Sequence, residues 1–272
     1  MRTLAESEHH VAEFVMPTDL HRQGMTCAIF TRRSQEADDL AALLSTPGFR
    51  HLDLALFTGY GLPEDWDDLS MGSLRQLLAG APQLEHFSFS CSTDPGSDQP
   101  AVLVQEIFPV ASWPNLRHFG IHQLTVVEKS GLVSLLSALP VSLRSVKLSQ
   151  LAFEEENSYH TLLCDMRDKL GWRNRAPDQR PHVRLIFHVK TMEEMEFPEP
   201  TDDPADYLLV DEPANMYLYS STETNGSPNP FSEDWPNFPI AGIGIVGRSY
   251  ADPSFKKQCS LTLAQRRILF CE

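Results

Sequence analysis

The sequence predicts an α/β solenoid with a parallel sheet on its concave side and helices on its convex side. Between residues 74 and 151, three stretches each begin with apolar residues at helical spacing and end in a short alternating strand. A Pro-containing turn separates the helix from the strand in each stretch. One such unit cannot bury both of its apolar faces, so we expect the copies to stack side by side.

Each predicted strand begins at an apolar anchor residue, and a fourth copy of the pattern precedes the other three. The four anchors are Phe49, Leu84, Leu116 and Leu143. Their spacing shrinks along the chain, which indicates a degenerate repeat with insertions. Parallel strands are expected near residues 51–55, 86–90, 118–122, 145–149 and 183–189. Alternation along these strands predicts that Phe87, Phe119 and Val146 are buried.

The predicted solenoid covers residues 36–190. Residues 1–35 are expected to form an N-terminal cap or an incomplete first repeat, with a possible strand over residues 25–30. Residues 191–272 are predicted to be an acidic, Pro/Gly-rich and partly disordered extension, because residues 191–211 carry many acids and no Lys or Arg.

The last repeat is expected to close with a helix and a strand. Apolar residues at helical spacing predict a helix over residues 159–170, and Gly171 stands where a left-handed C-terminal cap is expected. The alternating stretch 183–189 is predicted to be the last strand of the sheet.

Composition excludes several classes of partner. The 272-residue chain is 42% hydrophobic and has a formal net charge of −15, which disfavours nucleic acid. No apolar run approaches the ~18 residues that a membrane span requires, so we expect no membrane partner. Residues 1–10 carry acids and histidines where a signal peptide would be apolar, so we expect an intracellular protein, in the cytoplasm or nucleus. We also expect a monomer. The five cysteines form no C-x-x-C pair, which favours reduced thiols over disulfides or a zinc finger.

Sequence motifs give no support for catalysis. Residues 242–247 match G-x-G-x-x-G, but Pro239 precedes them and the position of the expected ribose-binding acid is Arg267. His118 and His122 lie four residues apart on one strand, which separates their backbones by ~13 Å, too far for a shared metal. We therefore expect a non-enzyme without cofactors, catalytic residues or a metal.

Residues out of phase with the buried ones should face away from the helices. They are small or polar, as an accessible surface requires, and they form the predicted partner-binding surface: His51, Asp53, His86, Ser88, Ser90, His118, His122, Ser145, Lys147 and Ser149. Arg117 and Arg144 stand at the strand entrances, where they would pair with acids on a protein partner.

Three of these histidines share one strand position. His51, His86 and His118 should lie ~5 Å apart if the strands pair in sequence order. Stacked imidazoles at that spacing could bind a metal or sense pH. The simpler interpretation is that His recurs with the repeat consensus, because no carboxylate or Cys clearly completes a ligand set.

Several motifs resemble the leucine-rich-repeat part of fungal F-box-type proteins. They are the strand starts Leu-Glu-His-Phe (84–87) and Leu-Arg-His-Phe (116–119), the helix pattern Leu-x-x-Leu-Leu-x-x-x-Pro, and Tyr-Leu-Tyr (217–219) followed by Asn-Pro-Phe (229–231). The resemblance covers residues 36–231. The family's short helical F-box is not found; residues 62–65 resemble its opening but lie between two repeats.

The resemblance implies a curved leucine-rich-repeat domain that presents substrates to a cullin-type ubiquitin ligase. We therefore expect a non-catalytic protein-interaction scaffold, with ubiquitin-ligase components among its partners. Two alternatives stay open: a repeat scaffold unrelated to ubiquitination, and an enzyme with an unrecognised site.

Overall fold

The computed structural model describes residues 11–16, 24–31, 34–57, 72–92, 101–153, 159–190 and 207–219. The glycine motif at 242–247, the Asn-Pro-Phe motif at 229–231, the F-box-like stretch at 62–65 and most of the acidic stretch at 191–211 lie outside the described residues. No helix within the described ranges is long and apolar enough to cross a membrane.

A mainly parallel sheet forms the centre of this α/β fold. Its strands are β1 (Glu13–Val15), β2 (Met25–Thr26), β3 (His51–Phe57), β4 (His86–Ser92), β6 (His118–His122), β8 (Ser145–Ser149), β10 (His182–Lys190) and β11 (Tyr207–Pro213). The order across the sheet is β1-β3-β4-β6-β8-β10-β11, with β2 also paired to β3. All these pairs are parallel except β10–β11.

Helices connect successive strands, as parallel pairing requires. They are α1 (Ala28–Thr31), α2 (Gln35–Leu44), α3 (Ser73–Ala79), α4 (Val104–Ile107), α5 (Lys129–Ser137), α6 (Tyr159–Lys169) and α7 (Asn215–Leu218), with short 3-10 turns at Val110–Ser112, Trp172–Asn174 and Pro177–Gln179. The predicted left-handed residue after α6 is confirmed, because Gly171 has a φ of 64°.

The repeat has a common backbone geometry at each strand entrance. The anchors Leu84, Leu116 and Leu143 each donate a backbone hydrogen bond to the carbonyl three residues earlier, at 3.1–3.2 Å. The carbonyls of Arg50, Glu85 and Arg117 each accept two backbone N–H groups at the start of the next strand; Glu85, for example, accepts from Arg117 and His118 at 2.7 and 3.0 Å. The Arg144 carbonyl accepts one, from His182, because Pro181 has no N–H. These shared bonds hold successive strands in one register.

The core lies between the sheet and the helices. Phe87, Phe119 and Val146 are fully buried, which confirms the predicted strand face. Phe87 packs against Trp113, with ring centroids 4.7 Å apart, and the Trp113 indole donates a buried hydrogen bond to the Leu78 carbonyl at 3.1 Å. This bond links one repeat to the helix of the preceding repeat.

A second, three-stranded sheet follows the main one. It is formed by β5 (Ala101–Val102), β7 (Thr125–Val126) and β9 (Ala152–Phe153), all parallel. Gln123 and Gln150 lead from the main sheet into it with φ values of 55° and 53°, in the left-handed region that side chains rarely adopt. The Gln123 amide donates to the Gln150 side-chain oxygen at 3.0 Å, so the two turns support each other.

Three sequence expectations about the edges of the fold are wrong. The stretch 183–189 is not the last strand, because β11 pairs with β10 on its far side. Residues 207–211, which were assigned to the disordered acidic segment, therefore belong to the sheet. The stretch 25–30 forms only the short strand β2 and then turns into α1.

The helix of the second central repeat is shorter than its apolar pattern suggests. α4 ends at Ile107, and a 3-10 turn at Val110–Ser112 replaces the expected helical continuation. Pro109 separates the two because it has no backbone N–H to continue the helical hydrogen bonds.

Candidate functional site

Polar side chains occupy the face of the main sheet opposite the helices. We call this surface the polar face; its predicted members are His51, Asp53, His86, Ser88, Ser90, His118, His122, Ser145, Lys147 and Ser149. Strand register places His51 beside His86 and His86 beside His118. The imidazole centroids are 3.9 and 4.1 Å apart, which confirms the predicted histidine row.

The same row extends beyond the histidines that the sequence singled out. Glu13 of β1 is in register with His51 at one edge, and His182 of β10 is in register with Ser145 at the other. Neither residue was predicted to belong to this surface, because residues 1–35 were expected to form only a cap or an incomplete repeat and the last predicted strand began at residue 183, one residue after His182.

One carboxylate lies between two histidines of the row. Asp53 Oδ1 is 3.2 Å from His51 Nε2 and 3.1 Å from His86 Nε2. One ligand atom from each of the three residues lies within 4.8 Å of the others. The expectation that no carboxylate completes the ligand set is therefore wrong: Asp53 is two residues after His51 and shares its face.

The polar atoms at this junction lack ordinary hydrogen-bond partners. His51 Nε2 and Asp53 Oδ1 are both buried, and their contacts are with each other and with His86, as close ionic contacts rather than well-aligned hydrogen bonds. Burial of Asp53 disfavours its charge, but the adjacent His86 and His51 outweigh that effect and lower the pKa of the carboxyl group below 3.8. Asp53 is therefore an anionic group at neutral pH.

His118 closes the histidine row as a neutral ring. Burial lowers the pKa of His118 to about 3, with a further contribution from His86. Its ring stacks on His86 with an interplanar angle of 14°. This contact restricts the rotation of the His86 imidazole next to Asp53.

Gly120 leaves a small polar recess beside the row. A Cβ at Gly120 would stand 2.9 Å from Ser88 Oγ and 3.3 Å from the Nε2 atoms of both His118 and His122. The two imidazole tips therefore lie within twice that 3.3 Å distance of each other. The predicted ~13 Å refers to the backbones, and both rings incline toward the glycine, which brings their tips closer together. That His118 and His122 do not share a metal stays a prediction; the group of described residues that could hold an ion is His51, Asp53 and His86.

Part of the predicted binding surface is not accessible. Ser88, Ser90, His122 and Ser149 are only 5, 3, 2 and 4% exposed, so the expectation that they face a partner is wrong. The three serines have short side chains that larger neighbours shield even on the outer sheet face, whereas His122 is buried although its ring is large. The half-buried members of the surface are His51, Asp53, His86, His118, Ser145 and Lys147.

The two arginines at the strand entrances differ in their contacts. Arg117 is largely exposed and lies 3.5 Å from the Glu85 carboxylate. Arg144 donates through Nη1 to the carbonyls of Val141 and Leu143 at 2.8 and 2.9 Å. The remaining three N–H groups of its guanidinium are on the other two nitrogens. Arg144 is thus anchored through Nη1 beside its own strand, with its charge at the exposed surface.

Two cysteines that are distant in sequence are close in space. Cys27 and Cys91 are fully buried and are both free thiols. Burial raises the pKa of the Cys91 thiol well above its usual value, and the adjacent Cys27 raises it further. A buried thiol with a raised pKa is a weak nucleophile and a weak metal ligand, which applies to Cys91. Because both side chains are 0% exposed, neither cysteine adds to the polar face.

Comparison with known proteins adds no relative to this description. No protein-family model matches the sequence, and neither a curated protein nor a solved structure gives a significant match. Functional inference for this chain therefore depends on its own residues.

Proposed function

We propose that this protein is a non-catalytic scaffold that binds a protein partner on the polar face. The supporting observation is the row of half-buried polar side chains held in register across parallel strands by shared backbone hydrogen bonds. Such a row offers a fixed spacing of donors and acceptors, which suits an extended polar segment of a partner.

The charge at one part of this face favours an acidic segment. Lys147 lies in register with Gly120 on one side and Arg184 on the other, and Arg117 and Arg144 are exposed at the neighbouring strand entrances. These cations stand out in a chain with a formal net charge of −15. Complementary charge mainly affects the rate and specificity of association.

We further propose that the stacked repeats form a leucine-rich-repeat solenoid with the polar face on its concave side. Its cellular role would be substrate recognition for a cullin-type ubiquitin ligase. The repeat motifs quoted above support this proposal together with the parallel strand order. Repeat proteins commonly bind their partners on the extended concave surface.

Charge reversal on the polar face tests partner binding. Partners are recovered by affinity purification with mass spectrometry from the native organism, using the wild-type chain and Lys147→Glu. The matched control carries the same change in net charge on α3, Ser73→Glu with Gln76→Glu, at two exposed positions.

We expect Lys147→Glu to reduce the recovery of specific partners by about tenfold or more, because like charges across an interface are repulsive. The control should retain them. Full retention by Lys147→Glu, after circular dichroism confirms an unchanged fold, would exclude this face as the binding surface. Recovery of cullin-ligase subunits with the wild-type chain would support the ubiquitin role, whereas reproducible partners without them would restrict the function to a general scaffold.

A further inference from the structure

We propose that His51, Asp53 and His86 bind a divalent transition-metal ion of the zinc class through His51 Nε2, Asp53 Oδ1 and His86 Nε2. This inference is independent of the scaffold function, because it concerns the affinity of the isolated chain for an ion. Two imidazoles and one carboxylate are a ligand set that suits Zn²⁺ and Fe²⁺, and three protein ligands leave coordination positions open.

The distances between the ligand atoms fit a shared ion. Bonds of ~2.0–2.1 Å at tetrahedral or octahedral angles place neighbouring ligand atoms ~2.8–3.4 Å apart. The two observed separations from Asp53 Oδ1 are 3.2 Å to His51 and 3.1 Å to His86. Both separations are typical of neighbours in one coordination shell, and all three ligand atoms lie within 4.8 Å of one another.

Contacts within the cluster satisfy these atoms poorly. Asp53 Oδ1 faces two imidazole nitrogens at 3.2 and 3.1 Å, and His86 Nε2 also lies 3.4 Å from Ser88 Oγ. Asp53 Oδ1 and His51 Nε2 are nevertheless buried without a well-aligned hydrogen bond, which is unfavourable. An ion placed between the three ligands would satisfy both atoms at once.

The surroundings also favour metal binding. The Glu13 carboxylate lies 3.7 Å from His51 Nδ1, on the side of the ring away from Asp53. A carboxylate at this position favours the tautomer with the proton on Nδ1, which leaves the Nε2 lone pair for the ion. The His118 ring stacks on His86 and restricts the orientation of the second imidazole.

The ligands belong to rigid neighbouring strands. His51 and Asp53 are two residues apart on β3, so their side chains project from the same face, and His86 is the direct register partner of His51 on β4. The site lies close to the surface, because the His51, Asp53 and His86 side chains are 24, 17 and 33% exposed, although His51 Nε2 and Asp53 Oδ1 themselves are buried. An ion can therefore enter, and water or a partner side chain can fill its open positions.

The test is titration of the tag-free, metal-stripped chain with Zn²⁺ by isothermal titration calorimetry. We expect one Zn²⁺ per chain, and no comparable binding of Mg²⁺ or Ca²⁺, which prefer oxygen ligands. His86→Gln should weaken Zn²⁺ binding by at least about 100-fold, since an outer-shell partner already contributes about 10–100-fold. Glu13→Gln should weaken it by less than about 10-fold, because the Glu13 carboxylate is 3.7 Å from His51 Nδ1, beyond hydrogen-bond distance.

The matched control is His182→Gln, an exposed histidine at the far end of the same row. It should bind Zn²⁺ as the wild type does. Absence of stoichiometric Zn²⁺ binding, equal weakening in His182→Gln and His86→Gln, or unchanged binding in His86→Gln would each overturn the proposal.

Cobalt substitution provides a readout on the wild-type chain that does not depend on any variant folding. Co²⁺ bound by two imidazoles and a carboxylate should show visible ligand-field bands without thiolate-to-cobalt charge transfer. A charge-transfer band would place the ion on a cysteine and contradict the assignment.

Discussion

The two faces of the main sheet are built from adjacent residues, but different interactions determine their arrangement. Phe87 and Phe119 point to the helices and are fully buried in an aromatic cluster. His86 and His118, one position earlier on the same strands, form the imidazole row on the opposite face. Apolar burial determines which residues form the inner face. Register determines which residues become neighbours on the outer face.

This difference separates stability from binding. On the inner face each ring contributes through the area it removes from water, and many residues share the effect. On the outer face the four strands β3, β4, β6 and β8 carry different residues at the position two after the histidine row. These residues are Asp53, Ser88, Gly120 and Lys147, so of the four only β3 supplies a carboxylate there. The three ligands of the proposed metal site therefore lie at the β3 end of the row.

The strongest test of the inner face is Phe119→Ala. Its ring is fully buried and packs edge-on against Phe108 with centroids 5.8 Å apart. We expect the free energy of unfolding, measured by chemical denaturation, to fall by ~3–5 kcal/mol because the change leaves a cavity. His182→Gln on the outer face is the control and should change stability by less than ~0.5 kcal/mol. A loss below ~1 kcal/mol for Phe119→Ala would contradict its role in the core.

Sequence was sufficient to predict the inner face and the histidine row. The alternation of apolar residues after each anchor gave the buried positions, and the equal offset of His51, His86 and His118 from their anchors gave the row. Both features depend only on local periodicity and on strands pairing in chain order.

Sequence was insufficient where neighbours from other segments decide the outcome. Asp53 was named as a surface residue, yet its placement between two imidazoles depends on side-chain orientation across two strands. The burial of His122 and Ser149 likewise depends on their surroundings. β11 was missed because the apolar residues Leu208, Leu209 and Val210 adjoin an acidic, Pro-containing stretch that outweighed them.

A test with an intermediate expected effect on stability concerns the helices. An ion pair, rather than apolar contact alone, joins α6 to α5 there. Asp165 of α6 lies 3.1 Å from Lys129 of α5 and 2.9 Å from Lys169 of its own helix. Burial opposes ionisation of Asp165, but the two lysines outweigh it and lower the pKa of its carboxyl group below 3.8. We expect Asp165→Asn to reduce the free energy of unfolding at pH 7 by about 1 kcal/mol.

The pH dependence of this effect has a definite sign. Because the folded-state pKa of Asp165 is below the unfolded-state value, its stabilisation is complete above that value and is lost as pH falls through about 4 and below. The difference between wild type and Asp165→Asn should therefore shrink in acid. Asp168→Asn is the control on the same helix, since its more exposed carboxylate contacts only Arg167 among the ion pairs of the described residues. A difference that persists unchanged at pH 3 would contradict the ionic origin.

The smallest expected effect on stability is that of Arg117→Ala, at the residue directly before β6. The Arg117 and Glu85 side chains are 69 and 42% exposed, and their charged atoms are 3.5 Å apart. Water and salt screen such a pair, so Arg117→Ala should change the free energy of unfolding by less than ~0.5 kcal/mol. If partner binding falls while denaturation is unchanged, Arg117 acts on the partner and not on the fold. A stability loss comparable to that of Phe119→Ala would mean that the strand entrances, and not only the inner face, hold the repeats together.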